Sequence, residues 1–188
     1  ESISKMAEKI KQSLTRGSHG NSGVITSLLF NGMSKHFENS ETADTVTFAY
    51  AMKAGSDKAY SVVNKPAEGT ILTVARKASE RAIELANEGS DFEEMFSQTI
   101  ETAYAALSLT PTQNPVLAKA GVVDAGAKGY CHILEGMLAA VKGIELSAAD
   151  QDGAAQVMPI FGGYKTEDIK FAYCTEFIIL QGSDRTNN

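Results

Sequence analysis

The sequence predicts an all-α fold, and three observations lead to this prediction. Apolar residues recur three or four positions apart in one segment after another, which is typical of amphipathic helices. Glycine, proline and asparagine separate these segments, and these residues commonly end helices. Trp is absent, while Ala and Gly recur inside the periodic segments, as in closely packed helices. We therefore expect one helical domain over residues 1–146.

The first two expected helices flank a glycine-rich stretch. Residues 3–14 carry one apolar face, and residues 24–37 carry another. Between them lies the stretch GSHGNSG at 17–23, which we interpret as a loop that leads into the start of the second helix.

The next two helices are expected on either side of a second loop, residues 64–69. The third helix covers about Ala43–Val63 and must end near Pro66, because proline disfavours a helical residue before it. The fourth covers Ile71–Leu85 and ends at Gly89, where glycine can adopt the left-handed cap conformation.

Three further helices are expected before the end of the domain. Asp91 opens the fifth with a capping-box pattern, and Pro111 stops it. Asn114 and Pro115 supply the cap and the first residue of a short helix. A third loop, residues 121–129, precedes the last helix.

The C-terminal part of the chain has a different composition. Residues 147–166 are small and polar, lose helical periodicity, and are predicted to form a linker. Residues 167–188 contain the segment FAYCTEFIIL, which is typical of a β-strand. Because a lone strand needs partners, we expect it to begin a following domain or to pack as an extension on the helices.

Charge and cysteine usage exclude several classes of protein. The net charge of -6, without any basic run, disfavours binding to nucleic acid. Cys131 and Cys174 form no metal-binding pattern and indicate structural thiols in a reducing compartment. Neither a signal peptide nor an apolar run of membrane-spanning length is visible, so we expect a soluble cytoplasmic protein.

Each of the three loops places glycine beside Ser, Thr or Asp directly before a helix. Free backbone N–H groups and the helix dipole favour a bound anion at such a position, and nucleotide phosphate is the obvious candidate. The loops match neither the Walker A nor the Rossmann pattern. From spacing alone, helix capping by Asn21 and Ser22 is favoured over phosphate binding by about two to one, on the frequencies of these residues at helix caps.

Four sequence segments, taken together and in their order along the chain, are more informative than any single glycine-rich loop. They are GNSGVI at 20–25, KPAEGTILTVAR at 65–76, GVVDAGAKG at 121–129 and YCTEF at 173–177. Together they resemble the DAK2, or dihydroxyacetone kinase L-type (DhaL-like), family, and within it the amino-terminal domain of the fatty acid kinase catalytic subunit. The resemblance covers essentially the whole chain. It implies a barrel of antiparallel helices with ATP or ADP bound at one rim.

The resemblance also implies which residues contact the nucleotide. The residues that would face phosphates are Gly20, Asn21, Ser22 and Gly23. Those that would lie along the nucleotide are Thr70 and Ile71. Those that would lie at its ribose or base end are Asp124, Ala125 and Gly126. Without the family, Thr70 would be interpreted as a helix cap, Ile71 as core and Asp124 as a turn residue.

The metal-binding part of the family pattern is not found in this chain. The family holds Mg²⁺ with aspartates on a PDGDTG-type loop, which would precede Glu1, so the ligands are expected upstream. No metal ligand or catalytic residue is assigned within the chain. His19 stands where relatives commonly carry Arg, which puts a phosphate contact there in doubt. His132 and Glu135 are expected to form a local pair rather than a metal site.

The resemblance implies an ATP-dependent kinase domain of phospholipid metabolism. It would transfer the γ-phosphoryl group to a fatty acid carboxylate presented by a DegV-type fatty-acid-binding protein, giving an acyl phosphate, and it would form a homodimer. Two alternatives remain open. One is the nucleotide-binding subunit of dihydroxyacetone kinase, and the other is a non-catalytic nucleotide-sensing or docking module.

Overall fold

A computed structural model of the chain describes residues 1–144, which form eight helices. They are α1 (Ile3–Gly17), α2 (Gly20–His36), α3 (Thr45–Val62), α4 (Ile71–Asn87), α5 (Phe92–Ser108), α6 (Thr110–Gln113), α7 (Pro115–Ala120) and α8 (Ala125–Val141). The prediction of an all-α fold is confirmed for this part of the chain. The predicted linker at 147–166 and strand at 167–188 lie outside the described residues.

The long helices form an up-and-down bundle. Each helix from α1 to α5 packs against its neighbour in sequence, and α8 packs against both α5 and α4. Short connections between packed helices make neighbours antiparallel. Consequently α2, α4 and α8 begin at one end of the bundle, which we call the glycine end (residues 17–23, 64–70 and 109–126). Helices α3 and α5 begin at the other, which we call the aromatic end.

Helix α4 is the centre of the core. It packs against α2, α3, α5 and α8, and more of its residues are buried than in any other described helix. Helices α2 and α3 approach each other most closely at Gly32 and Gly55. A side chain at Gly32 would collide with the carbonyl oxygen of Ala54, so glycine allows main chain to pack on main chain there.

Local capping follows the predicted pattern at several helix ends. Asp91 accepts a hydrogen bond of 2.9 Å from the Glu94 N–H, and Asn114 caps α7 through the Val116 N–H at 3.0 Å. Gly89 adopts a φ of 91° just beyond the end of α4, as predicted for a glycine there.

Two of the predicted loops are shorter than expected. Residues 20–23 form the first turn of α2, and residues 125–129 belong to α8. Glycine lowers helix propensity, which favoured the loop interpretation. Close packing accounts for glycine at these helical positions: a Cβ at Gly23 would lie 3.3 Å from Ser18 Cβ, and one at Gly126 would lie 2.5 Å from Ser22 Oγ at another helix start.

The aromatic end is closed by ring packing. Phe48 lies 5.8 Å from Phe37, 5.9 Å from Phe92 and 5.5 Å from Phe96, measured between ring centroids. Next to this cluster lies an apolar cavity of about 410 Å³, lined by α1, the end of α8 and the phenylalanines themselves. Apolar packing therefore stabilises this end.

The expectation of a structural thiol is met at Cys131, which is buried and unpaired. Burial raises the pKa of this thiol to about 11, so it is protonated at neutral pH. Cys174 lies outside the described residues. Across residues 1–144, every helix is too short or too polar to cross a bilayer.

Candidate functional site

The three segments singled out in the sequence meet at the glycine end. A Cβ at Gly126 would lie 2.5 Å from Ser22 Oγ, so the starts of α8 and α2 touch. A Cβ at Gly69 would lie 2.8 Å from the Thr110 carbonyl oxygen, and the Asp124 N–H donates to Thr110 Oγ1 at 3.1 Å. The starts of α2, α4 and α8 are therefore linked by a continuous series of contacts.

The start of α2 differs from that of every other long helix described. Helices α1, α3, α4, α5 and α8 each have a side chain that accepts a hydrogen bond from the first turn, whereas α2 has none. Its N-cap residue, His19, turns back, and His19 Nδ1 lies 2.8 Å from the Gly17 carbonyl oxygen. Within residues 1–144, no side chain therefore caps the first-turn N–H groups of α2.

The side chains around this helix start face solvent. Gly20, Asn21 and Ser22 are exposed, and Gly23 is half-buried. Neither Asn21 nor Ser22 caps the helix, so the capping interpretation that spacing favoured is wrong for this pair. Uncapped N–H groups, a helix dipole and two exposed polar side chains together form a site that suits an anion.

At the start of α4, Thr70 acts as the N-cap. Its hydroxyl accepts from the Leu72 N–H at 3.3 Å and donates to the Ala67 carbonyl at 2.8 Å. Ile71 is only 3% exposed and packs in the core. Little of its main chain or side chain is therefore open to a ligand in this structure. Gly69 is buried with a φ of 74°, a conformation that favours glycine.

A cluster of side chains that the sequence analysis did not identify holds the loop before α4. The Glu68 carboxylate accepts hydrogen bonds from Tyr60 OH at 2.9 Å, Thr73 Oγ1 at 2.8 Å and an Arg76 guanidinium nitrogen at 2.8 Å. Burial opposes ionisation of Glu68, but these three hydrogen bonds outweigh it and lower the pKa of the carboxyl. Spacing within residues 65–76 could have suggested a Glu68–Arg76 pair, whereas the Tyr60 contact depends on helix packing.

At the start of α8, Asp124 is the N-cap, and its carboxylate accepts from the Ala127 N–H at 2.8 Å. Ala125 is exposed, and Gly126 is half-buried against Ser22. Because the carboxylate of Asp124 is occupied by the cap, its first role is to fix the helix start. Its exposed neighbour Ala125 leaves main chain open to a ligand.

The donor set of the glycine end can be compared with the two ligands expected there. Main-chain N–H groups, hydroxyls and an amide suit the phosphate and hydroxyl oxygens of a nucleotide. Mg²⁺ requires several carboxylate or phosphate oxygens. Residues 1–144 contain no group of three or more His, Cys, Asp or Glu side chains that could hold a metal ion, so no metal is assigned to them.

The predicted His132–Glu135 pair is present on the surface of α8. His132 Nδ1 lies 2.7 Å from Glu135 Oε2, and Tyr104 OH donates to Glu135 Oε1 at 2.8 Å. The hydrogen bond with His132 is the main reason that the pKa of Glu135 is lowered. The hydrogen bond to Glu135 raises the pKa of Tyr104 to about 12. This cluster ties α8 to α5 and does not form part of the glycine end.

Comparison with known proteins adds evidence independent of this geometry. A sequence model described as the DAK2 domain matches residues 1–139. An uncharacterized protein of Staphylococcus saprophyticus is 40% identical over 98% of this chain and 34% of its own length. Protein YloV of Bacillus subtilis is 39% identical over 95% of this chain and 34% of its own length. The chain spans about a third of the length of the curated relatives it matches.

Proposed function

Because the chain belongs to the DAK2 domain family, we propose that it is the nucleotide-binding domain of a kinase that phosphorylates a substrate held by a partner protein. The observation that carries the proposal is the uncapped start of α2. Among the long helices described, this one alone leaves its first-turn N–H groups to an external acceptor, and it faces solvent beside the start of α8.

The proposed roles follow from what each segment offers. Main-chain N–H groups of residues 20–23, with the side chains of Asn21 and Ser22, bind phosphate oxygens of ATP. Thr70 and the neighbouring core residue Ile71 lie along the nucleotide. Asp124, Ala125 and Gly126 lie at its ribose or base end. No protein nucleophile is required, because phosphoryl transfer depends mainly on positioning and charge stabilisation.

The acceptor that we favour is a fatty acid carboxylate carried by a DegV-type binding protein. A carboxylate oxygen attacks the γ-phosphorus, the bond to the β–γ bridging oxygen breaks, and ADP leaves with the electron pair, giving an acyl phosphate. The resemblance of the four segments in order to the fatty acid kinase catalytic subunit supports this choice. A cytoplasmic location, a homodimer and a role in phospholipid metabolism belong to the same proposal.

The first test is nucleotide binding by the product of the complete open reading frame that encodes this chain. We expect it to bind AMP-PNP with Mg²⁺ in calorimetry. Ser22→Ala should weaken binding about tenfold, because a hydrogen bond to a charged phosphate is lost. Ser27→Ala is the matched control on α2, where the hydroxyl donates only to the Val24 carbonyl, and it should bind as the wild type does. Wild-type protein that binds no nucleotide would contradict the proposal.

The second test identifies the acceptor. ATP-dependent phosphorylation is measured with a fatty acid and a DegV-type carrier, with dihydroxyacetone and its carrier subunit, and without any carrier. We expect acyl phosphate only in the first reaction. Preference for dihydroxyacetone would select the triose kinase, transfer without a carrier would remove the partner from the proposal, and binding without transfer to either acceptor would indicate a docking module.

A further inference from the structure

One buried threonine joins two of the three segments of the glycine end. Thr110, at the start of α6, has no exposed surface. Its Oγ1 donates to the Leu107 carbonyl at 2.7 Å and accepts from the Asp124 N–H at 3.1 Å. Both hydrogen-bonding functions of the hydroxyl are therefore used, and one of them fixes the residue that caps α8.

The main chain of the same residue supports the loop before α4. The Thr110 carbonyl oxygen accepts from the Asn114 N–H at 3.0 Å. It also lies where a Cβ on Gly69 would be only 2.8 Å away, so it packs directly against the buried glycine. Thr110 thus contacts the residue before Thr70 on one side and Asp124 on the other.

The contacts continue from Asp124 to the start of α2. Asp124 caps α8 through the Ala127 N–H, and Gly126, in the same turn, lies against Ser22 Oγ. A shift of Asp124 would therefore move the surface on which Ser22 rests. We propose that Thr110 is a positioning residue for the nucleotide site, acting through Asp124 and Gly69 without contacting the ligand. This inference rests on the proposed function.

A second buried threonine provides a matched control. Thr99, on α5, also has no exposed surface, but its hydroxyl has no hydrogen-bond partner among residues 1–144. Replacing either residue with valine removes a hydroxyl from an isosteric side chain. Only the change at Thr110 leaves the Asp124 N–H without its partner. Nucleotide affinity should therefore fall in Thr110→Val and not in Thr99→Val.

The experiment compares Thr110→Val, Thr110→Ser and Thr99→Val in the product of the complete open reading frame. AMP-PNP affinity with Mg²⁺ is measured by calorimetry on folded protein, and amide exchange at Asp124 is measured without nucleotide. We expect Thr110→Val to weaken affinity about tenfold and to speed Asp124 exchange by a similar factor. Thr110→Ser, which keeps the hydroxyl, should stay within about twofold of wild type, as should Thr99→Val.

The outcomes separate this inference from the proposed function. Wild-type protein that binds no nucleotide overturns the proposed function. Wild-type binding together with unchanged affinity and exchange in Thr110→Val overturns the positioning role. If Thr110→Val does not fold, Thr110→Ala decides in its place, because it also removes the hydroxyl: a tenfold loss of affinity supports the positioning role, and affinity near that of wild type and Thr110→Ser rejects it.

Discussion

The two ends of the bundle are built from the same helices and stabilised by different means. At the aromatic end, Asp44 and Asp91 cap α3 and α5, and four phenylalanines pack ring against ring. At the glycine end, Thr70 and Asp124 cap α4 and α8, but α2 begins without a side-chain cap within residues 1–144, and Gly69 lets main chain approach main chain. Among the described residues, the long helices that begin at the aromatic end are capped by their own side chains, whereas α2 at the glycine end has free first-turn N–H groups, to which we assign the proposed anion.

If the proposed function holds, this difference predicts that stability and nucleotide binding depend mainly on different ends of the bundle. Buried rings lower the free energy of the folded state whether or not a ligand is present. An uncapped helix start lacks that stabilisation until an anion occupies it. Substitutions at the aromatic end should therefore change the free energy of unfolding alone, whereas those at the glycine end should also change nucleotide affinity.

The largest expected effect on stability is at Phe48. Phe48→Ala removes the ring that contacts Phe37, Phe92 and Phe96, and it should lower the free energy of unfolding by about 3 kcal/mol in urea titration. Tyr50→Ala is the control on the same helix, since Tyr50 is 43% exposed, and it should cost under about 1 kcal/mol. Similar losses for both variants would contradict the assignment of this end as the stabilising one.

Two glycines of α8 give the next contrast. Gly126→Ala should lower AMP-PNP affinity about tenfold and cost about 1 kcal/mol of stability, because the new Cβ would meet Ser22. Gly129→Ala places a methyl group where nothing lies within 4 Å, and it should stabilise the domain by up to about 1 kcal/mol through helix propensity. If Gly126→Ala behaved like Gly129→Ala in both measurements, the α2–α8 contact would not matter to the site.

The caps at the two ends give a third comparison. Asp91→Ala and Asp124→Ala each remove a carboxylate that accepts from the first turn of a helix, so each should lower stability by about 1 kcal/mol. Calorimetry with AMP-PNP should show weaker binding only for Asp124→Ala. Equal loss of affinity in Asp91→Ala would show that binding follows overall stability instead of the local geometry of the glycine end.

The smallest effect expected is a pH-dependent one at Glu68. Its pKa in the folded protein lies below the ordinary value of 4.5, so the ionised carboxylate stabilises the fold above pH 4.5. That contribution is lost as the pH falls through the lowered pKa. Glu68→Gln should therefore be less stable than wild type at pH 7, and the difference should shrink below pH 4.5 in urea titrations.

A control for this measurement is Glu101→Gln on α5. Glu101 is exposed and forms no ion pair within residues 1–144, so its substitution should change stability little at either pH. A difference between wild type and Glu68→Gln that stayed constant with pH would show that the carboxylate charge contributes nothing to the loop.

Features that depend on neighbouring residues in sequence were predictable. Asp91 and Asn114 were identified as caps, and Gly89 as a helix end, because capping and positive φ are decided within a few residues. The starts of α2 and α8 were placed too late, because the glycines there have weak helix propensity and the contact of Gly126 with Ser22 involves a distant segment.

Features that depend on distant residues were missed. The local sequence around Thr110 indicates only the end of a helix before a proline. Its hydrogen bond with the Asp124 N–H joins residues 14 positions apart. Tyr60 belongs to a different helix from Thr73 and Arg76, and only packing of α3 on α4 brings all three to Glu68. Thr70 is a cap, as the local interpretation had it, whereas Asp124 is a cap and not the turn residue that the local interpretation made it. The contacts of both residues with a nucleotide stay a prediction.

The sequence by itself determined that residues 1–144 are helical, where most of the helices end, and which family the chain resembles, because periodicity, capping and ordered motifs are local properties. Tertiary structure alone decided that the starts of α2, α4 and α8 meet at one end, and that α2 is the long helix left uncapped there. The physical reason is that a hydrogen bond or a close glycine contact between distant segments exists only once packing has brought them together.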